Sequence, residues 1–231
     1  MDKTLKKKIS VTLKILIVIC ALGGVILSLF NAKKDGYSHW YKRLMYFTAQ
    51  SNLWIGFNSL TILLYQAITN KSDTKRGLLY LCKYLFTVSI TITAIVFFFF
   101  LAPFADQSYH IWTVSGFLTH LFSPLFSIAD FIIDPNRTKL NKNVAFLAVL
   151  PPLIYVINSS VLSVLNVDFG RGVNYPYFFM DHFSPAGVFG FSLDAPILGS
   201  FYWILILALI TFFIGVFYKK LKSRQQTKKH A

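Results

Sequence analysis

Glutamate is absent from these 231 residues: all nine acids are aspartate, set against 23 Lys and Arg for a formal net charge of +14. Charged residues make up 14% of the chain, where a soluble domain carries about a quarter, so a water-soluble globular fold is excluded. The positive excess does not signal nucleic acid, because the basic residues stand in short clusters between apolar runs instead of forming a stripe on a polar face. Cysteine is scarce as well. Cys20 and Cys82 both lie in apolar stretches, which excludes a cystine-stapled secreted scaffold and leaves two small buried hydrophobes. The glycine patterns of nucleotide sites, GxGxxG and GxxxxGK followed by Ser or Thr, are missing, and no cofactor is expected. Neither HExxH nor CxxC spacing occurs, so His39, His110 and His182, even with Asp181 nearby, are not expected to form a metal site. What remains is 55% apolar and 17% aromatic with a mean hydropathy of +0.56, the composition of an integral membrane protein.

A helical crossing needs about 20 mostly apolar residues. Six stretches qualify, 10–30, 44–69, 78–102, 109–133, 143–165 and 197–218, and they predict an all-α polytopic fold in a single transmembrane domain spanning 1–231. The runs are continuous and do not alternate, which argues against a β-barrel. Lys6, Lys7 and Lys8 before the first run resemble the start of a signal peptide, but the run is long and no small-x-small site closes it, so it reads as a retained span. Sixteen Lys and Arg fall in the two tails and the loops on their side; only Lys33, Lys34, Lys42, Arg43 and Arg171 fall on the other. That imbalance predicts cytoplasmic termini. The segment 164–196 is then extracytoplasmic, and its Tyr175, Tyr177, Phe178, Phe179, Phe183, Phe189 and Phe191 suit an interface. The basic C-terminal run fits a topology anchor or an anionic-lipid contact. Membrane lipids are the expected surroundings, and the sequence is silent on oligomeric state.

Ionisable and strongly polar residues inside spans are costly and mark function by default. In the fourth span Thr113, Gly116, His120, Ser123, Ser127 and Asp130 recur at helical spacing along one face, either as small residues that let helices approach or as the lining of a site. The second span carries Thr48, Gln50, Asn52, Asn58 and Ser59, so it is expected among other helices and not in lipid. Spans two and four descend from the same side, with Thr48 about 12 Å below Trp40 and His120 about 16 Å below Tyr109 at 1.5 Å per residue. The two can meet. A hydroxyl becomes a nucleophile when a base takes its proton, and imidazole has the pKa for that. Asn52 or Gln50 are candidate oxyanion donors, and Asp181 or Asn52 candidates to orient the imidazole. Asp130, ten residues beyond His120, lies out of reach and is expected to pair with a cation such as Lys83.

These residues also carry a family resemblance. YFTAQSN at 46–52, GFLTHLFSPLFSIAD at 116–130 and NYPYFFMDHFSP at 174–185 resemble, in that order, motifs of the androgen-induced gene family of multi-span membrane threonine hydrolases and its bacterial six-span relatives. The resemblance implies Thr48 as nucleophile and His120 as base. It implies Ser123, Pro124, Tyr175 and His182 as substrate-pocket residues, a bacterial cell membrane as the location, and lipid or fatty-acyl substrates such as fatty acid esters of hydroxy fatty acids. From the residues alone, a non-enzymatic transporter or lipid-binding protein with a polar interhelical cavity is the alternative.

Overall fold

The computed structural model describes residues 2–69, 77–104, 112–135, 140–193 and 197–227. Among them the chain is helical, with one isolated β-bridge between Phe191 and Leu198. Helix α1 (Lys3–Asn31) begins seven residues before the apolar run because Asp2 caps it, its Oδ2 accepting from the Thr4 N–H at 3.2 Å. Helix α2 (Phe47–Thr69) follows a 3₁₀ turn at Trp40–Met45. Helix α3 (Gly77–Val96) runs on into a π-helical turn, Phe97–Leu101. The fourth span is α4 (Val114–Phe117), a second π-turn (Leu118–Phe122) and α5 (Ser123–Ile133). The fifth divides into α6 (Val144–Leu147) and α7 (Leu150–Val164), the break falling where Pro151 and Pro152 cannot continue a helix begun upstream but fit its first turn. Helix α8 (Ser200–Thr227) closes the bundle.

Five of these segments, Thr4–Asn31, Gly77–Leu101, Val114–Ile133, Val144–Val164 and Ser200–Arg224, are long and apolar enough to cross a membrane, and they present exposed Ile19, Phe30, Leu78, Phe99, Ile157 and Phe213 to the surroundings. Helix α2 is about 34 Å long at 1.5 Å per residue, yet its polar residues keep it out of that set. Protein surrounds them instead: Ser51, Asn52, Asn58 and Ser59 are all buried, and Ser51 Oγ lies 2.8 Å from Thr93 Oγ1 of α3. Close approach depends on two glycines. A Cβ at Gly56 would strike Leu22 of α1, and one at Gly24 would strike Leu118 and Thr119 of the second π-turn.

The two ends of the bundle differ sharply. At one end Lys14, Lys83 and Lys222 converge on Asp130 and Asp134, all but Asp134 buried. Asp130 accepts from Ser10 Oγ at 2.5 Å and Lys14 Nζ at 2.9 Å, and pairs with Lys83 at 2.7 Å as the sequence predicts. Lys83 also pairs with Asp134, and Lys222 donates to the Asp134 backbone carbonyl at 2.9 Å. Four helices, α1, α3, α5 and α8, are thereby tied in register, with the start of α1 and the end of α8 on the same side. The other end is covered by residues 32–46 and 165–193. There Phe179 and Met180 are buried against Phe47, Ile92 and Tyr155, so this stretch is packed into the bundle as a cap, while Phe183, Phe189 and Phe191 stay exposed, as an interface would have them. His110, the expected start of the fourth span at 109–111, and most of the basic loops at 70–76 and 136–139 lie outside the described residues.

Candidate functional site

Tyr46 is extended, with φ −89° and ψ 142°, so α2 starts at Phe47 and Thr48 occupies its first turn. This corrects the depth expected for Thr48, which assumed a helix from Trp40. The position brings Thr48 beneath the cap segment, where its N–H donates to the Tyr177 hydroxyl at 3.4 Å. Burial pushes the Tyr177 phenol up to about 12, so it stays protonated at neutral pH. One turn on, Asn52 Nδ2 donates to Thr48 O at 2.8 Å and to Thr119 O at 3.1 Å. A single side chain therefore fixes the start of α2 against the residue that precedes His120.

The two π-turns meet here. His120 lies in one and Phe97 in the other, and their rings stack with centroids 3.8 Å apart and planes 11° from parallel. Each π-turn inserts a residue into the helix and changes its phase, a feature frequent at functional sites. The change breaks the polar stripe expected on span four. Ser115, Thr119, Ser123, Ser127 and Asp130 are buried between helices, Thr113 caps α4 by accepting from the Gly116 N–H at 3.0 Å, and His120 is turned out of that row. Its Nδ1 is buried without a hydrogen-bond partner.

Thr48 and His120 line one cavity of about 410 Å³. Tyr175, Tyr177, Arg43 and Arg171 line it too. No hydrogen bond joins Thr48 to His120 among the described residues. A second, smaller cavity of about 70 Å³ lies between α3, α7 and α8, walled by apolar residues such as Ile92, Val96, Pro152 and Leu207; Thr48, Leu101 and Tyr177 border both. Thr48 therefore stands where a polar chamber meets an apolar one.

No family model, curated protein or solved structure matches this chain. The site has to be read from its own geometry, and several expected members do not reach it. Asn52 commits its amide donors to two backbone carbonyls, and Gln50 Nε2 donates to Leu44 O at 3.2 Å, so neither side-chain amide is presented to the cavity as an oxyanion donor. The first-turn N–H groups of α2, at the positive end of the helix dipole, stand nearer Thr48. Asp181 accepts from the Phe183 N–H at 3.0 Å and is not bonded to His120. Ser123 and Pro124 are buried in α5 and His182 binds Ser200 Oγ through Nδ1 at 2.7 Å; none of the three lines the cavity. Tyr175 does.

Sequence reasoning missed Tyr177, Phe97 and the arginine pair. Tyr177 was placed at an interface on composition alone. Arg43 and Arg171 had a visible signal, since both run against the charge imbalance from which the orientation is predicted.

Proposed function

We propose that the chain is a six-span protein of the cell membrane, bacterial by resemblance, with both termini cytoplasmic, and that it hydrolyses lipid esters within the bilayer. Sixteen basic residues against five support the orientation, and α2, which buries its polar face in the bundle and exposes Phe57, Leu64 and Ile68 on the other, supplies the sixth crossing. The observation that carries the hydrolase reading is the shared cavity: the Thr48 hydroxyl and the His120 imidazole line the same chamber, with an apolar annex at Thr48 for an acyl chain. In this reading the Thr48 oxygen attacks the ester carbonyl while His120 takes its proton, directly once substrate closes the site or through one water. The ester C–O bond breaks, the leaving alcohol receives the proton from His120, and water then releases the acid from the acyl-threonine by the same route. The positive end of the α2 dipole stabilises the oxyanion. The motif resemblance adds support, and fatty acid esters of hydroxy fatty acids are the substrates it suggests.

Thr48→Ala and His120→Ala in purified protein are each expected to lower turnover of a fluorogenic lipid ester by at least about a hundredfold with unfolding temperatures retained. Fluorophosphonate labelling is expected to vanish with Thr48 alone. Unchanged turnover in both variants would end the proposal. The missing direct hydrogen bond between the two side chains favours a second reading, a lipid-binding or transport protein that uses the same cavity; stoichiometric lipid uptake without ester cleavage would decide for it.

A further inference from the structure

An ester carbonyl attacked by Thr48 needs a hydrogen-bond donor for its developing oxyanion, and the N–H of Thr48 itself is spent, since it donates to the Tyr177 hydroxyl at 3.4 Å. That bond makes the phenol the more useful group. A hydroxyl that accepts through one lone pair keeps its own hydrogen to give, and hydrogen bonds in a chain strengthen one another. Tyr177 therefore extends the positive end of the α2 dipole into the cavity that it lines with Thr48.

The ring is fixed in place. It stacks on Phe179 with centroids 5.2 Å apart and planes 10° from parallel, and meets Tyr46 edge to face at 5.8 Å. Tyr177 is extended, with φ −142° and ψ 145°, directly before the 3₁₀ turn Phe178–Met180. Phe179 and Met180 of that turn are buried, so swinging the ring away would expose two apolar side chains. A donor held in this way needs no reorganisation when charge appears beside it, and burial keeps the phenol protonated. Tyr177 and Thr48 border both the polar chamber and the apolar annex, whereas His120 lines the polar chamber alone. An ester within reach of all three straddles the junction, its carbonyl at Thr48 and Tyr177 and its alcohol portion on the side of His120.

We propose that Tyr177 is a catalytic residue, its O–H donating to the carbonyl oxygen of an ester whose acyl chain lies in the apolar annex and whose alcohol portion lies in the polar chamber. This rests on the hydrolase reading. As the Thr48 oxygen bonds to the carbonyl carbon, the carbonyl π pair moves onto oxygen and His120 takes the threonine proton; Tyr177 gives a hydrogen bond and keeps its own proton. When the pair returns, the C–O bond to the alcohol breaks and the leaving oxygen takes the proton from His120. The orientation also sets the substrate class, since the apolar annex rejects a polar group on the acyl chain while the chamber admits one on the alcohol.

The test compares a fluorogenic long-chain ester with its thionoester, in which sulfur replaces the carbonyl oxygen and accepts hydrogen bonds poorly, on the full chain in phosphatidylcholine nanodiscs. Relative to the hydroxide-catalysed rates of the same two compounds, the unaltered protein is expected to favour the oxygen ester by at least about tenfold. Tyr177→Phe keeps the ring and its stacking; it is expected to lower kcat on the oxygen ester about a hundredfold with KM unchanged, and to remove most of the preference over sulfur. A merely structural role would lower both rates together and leave their ratio intact. A preference that survives in Tyr177→Phe, or full turnover by that variant, overturns the assignment and spares the hydrolase. Equal treatment of the two esters by the unaltered protein overturns it as well, whether or not the variant folds. Absence of Thr48-dependent cleavage in the unaltered protein sinks both.

Discussion

Asp130 is completely buried and is the shared partner of Ser10, Lys14 and Lys83, so replacing it with Asn leaves two buried ammonium groups short of a counter-charge. Removing one member of a buried ion pair destabilises by about 3–5 kcal/mol. The lower end applies here, because Asp134 still reaches Lys83 and lies 3.5 Å from Lys14. For a chain of this size about 3 kcal/mol corresponds to about 6–12 °C in unfolding temperature. Cys20 is buried and free, so a thiol-reactive dye in detergent reports the transition without an added label. If uncompensated charge is the cause, the double variant Asp130→Asn with Lys14→Met should be more stable than Asp130→Asn alone, since it removes one stranded ammonium. A shift below about 2 °C for the single variant, or a double variant that loses stability additively, would refute the reasoning.

Two further outcomes follow from contacts nearer the cavity. Burial holds the His182 pKa below its ordinary value, with Asp181 opposing; the unfolded chain therefore takes up the proton first, and stability falls as pH drops from about 6.5 toward the depressed folded value. The unfolding temperature of the unaltered protein should fall more steeply between about pH 7.5 and about pH 5 than that of His182→Asn, and parallel curves would exclude the contribution. Gly24→Ala presses a Cβ into Leu118 and Thr119 beside His120; overpacking of this kind costs about 1–3 kcal/mol and should depress both unfolding temperature and ester turnover. Gly23→Ala, where a Cβ meets nothing within 4 Å, serves as its control.

The spans were legible because each is a long apolar run, and the Asp130–Lys83 pair was legible because a buried carboxylate in a membrane needs a cation. The local geometry was not. Nothing in LMYF announces that Tyr46 would be extended and that α2 would begin only at Phe47, yet that start is what puts Thr48 in a first turn under Tyr177. The polar stripe of span four was read at a constant 3.6 residues per turn, and the π-turn at Leu118–Phe122 breaks that assumption in the middle of the motif. Nothing near Lys14 in the sequence announces its partners, because Asp130 and Asp134 lie 116 and 120 residues away.

The charges that fit the topology least well turn out to be the informative ones. A positive residue on the sparsely charged side works against the bias that orients the chain, so each such residue calls for a local reason to be there. Lys42 has one in Asp168, which anchors the turn that aims Arg171. Arg43 has one in Asp35. Arg43 and Arg171 both line the chamber that also holds Thr48 and His120. The same count that predicts the orientation of the helices therefore singles out residues at the cavity wall.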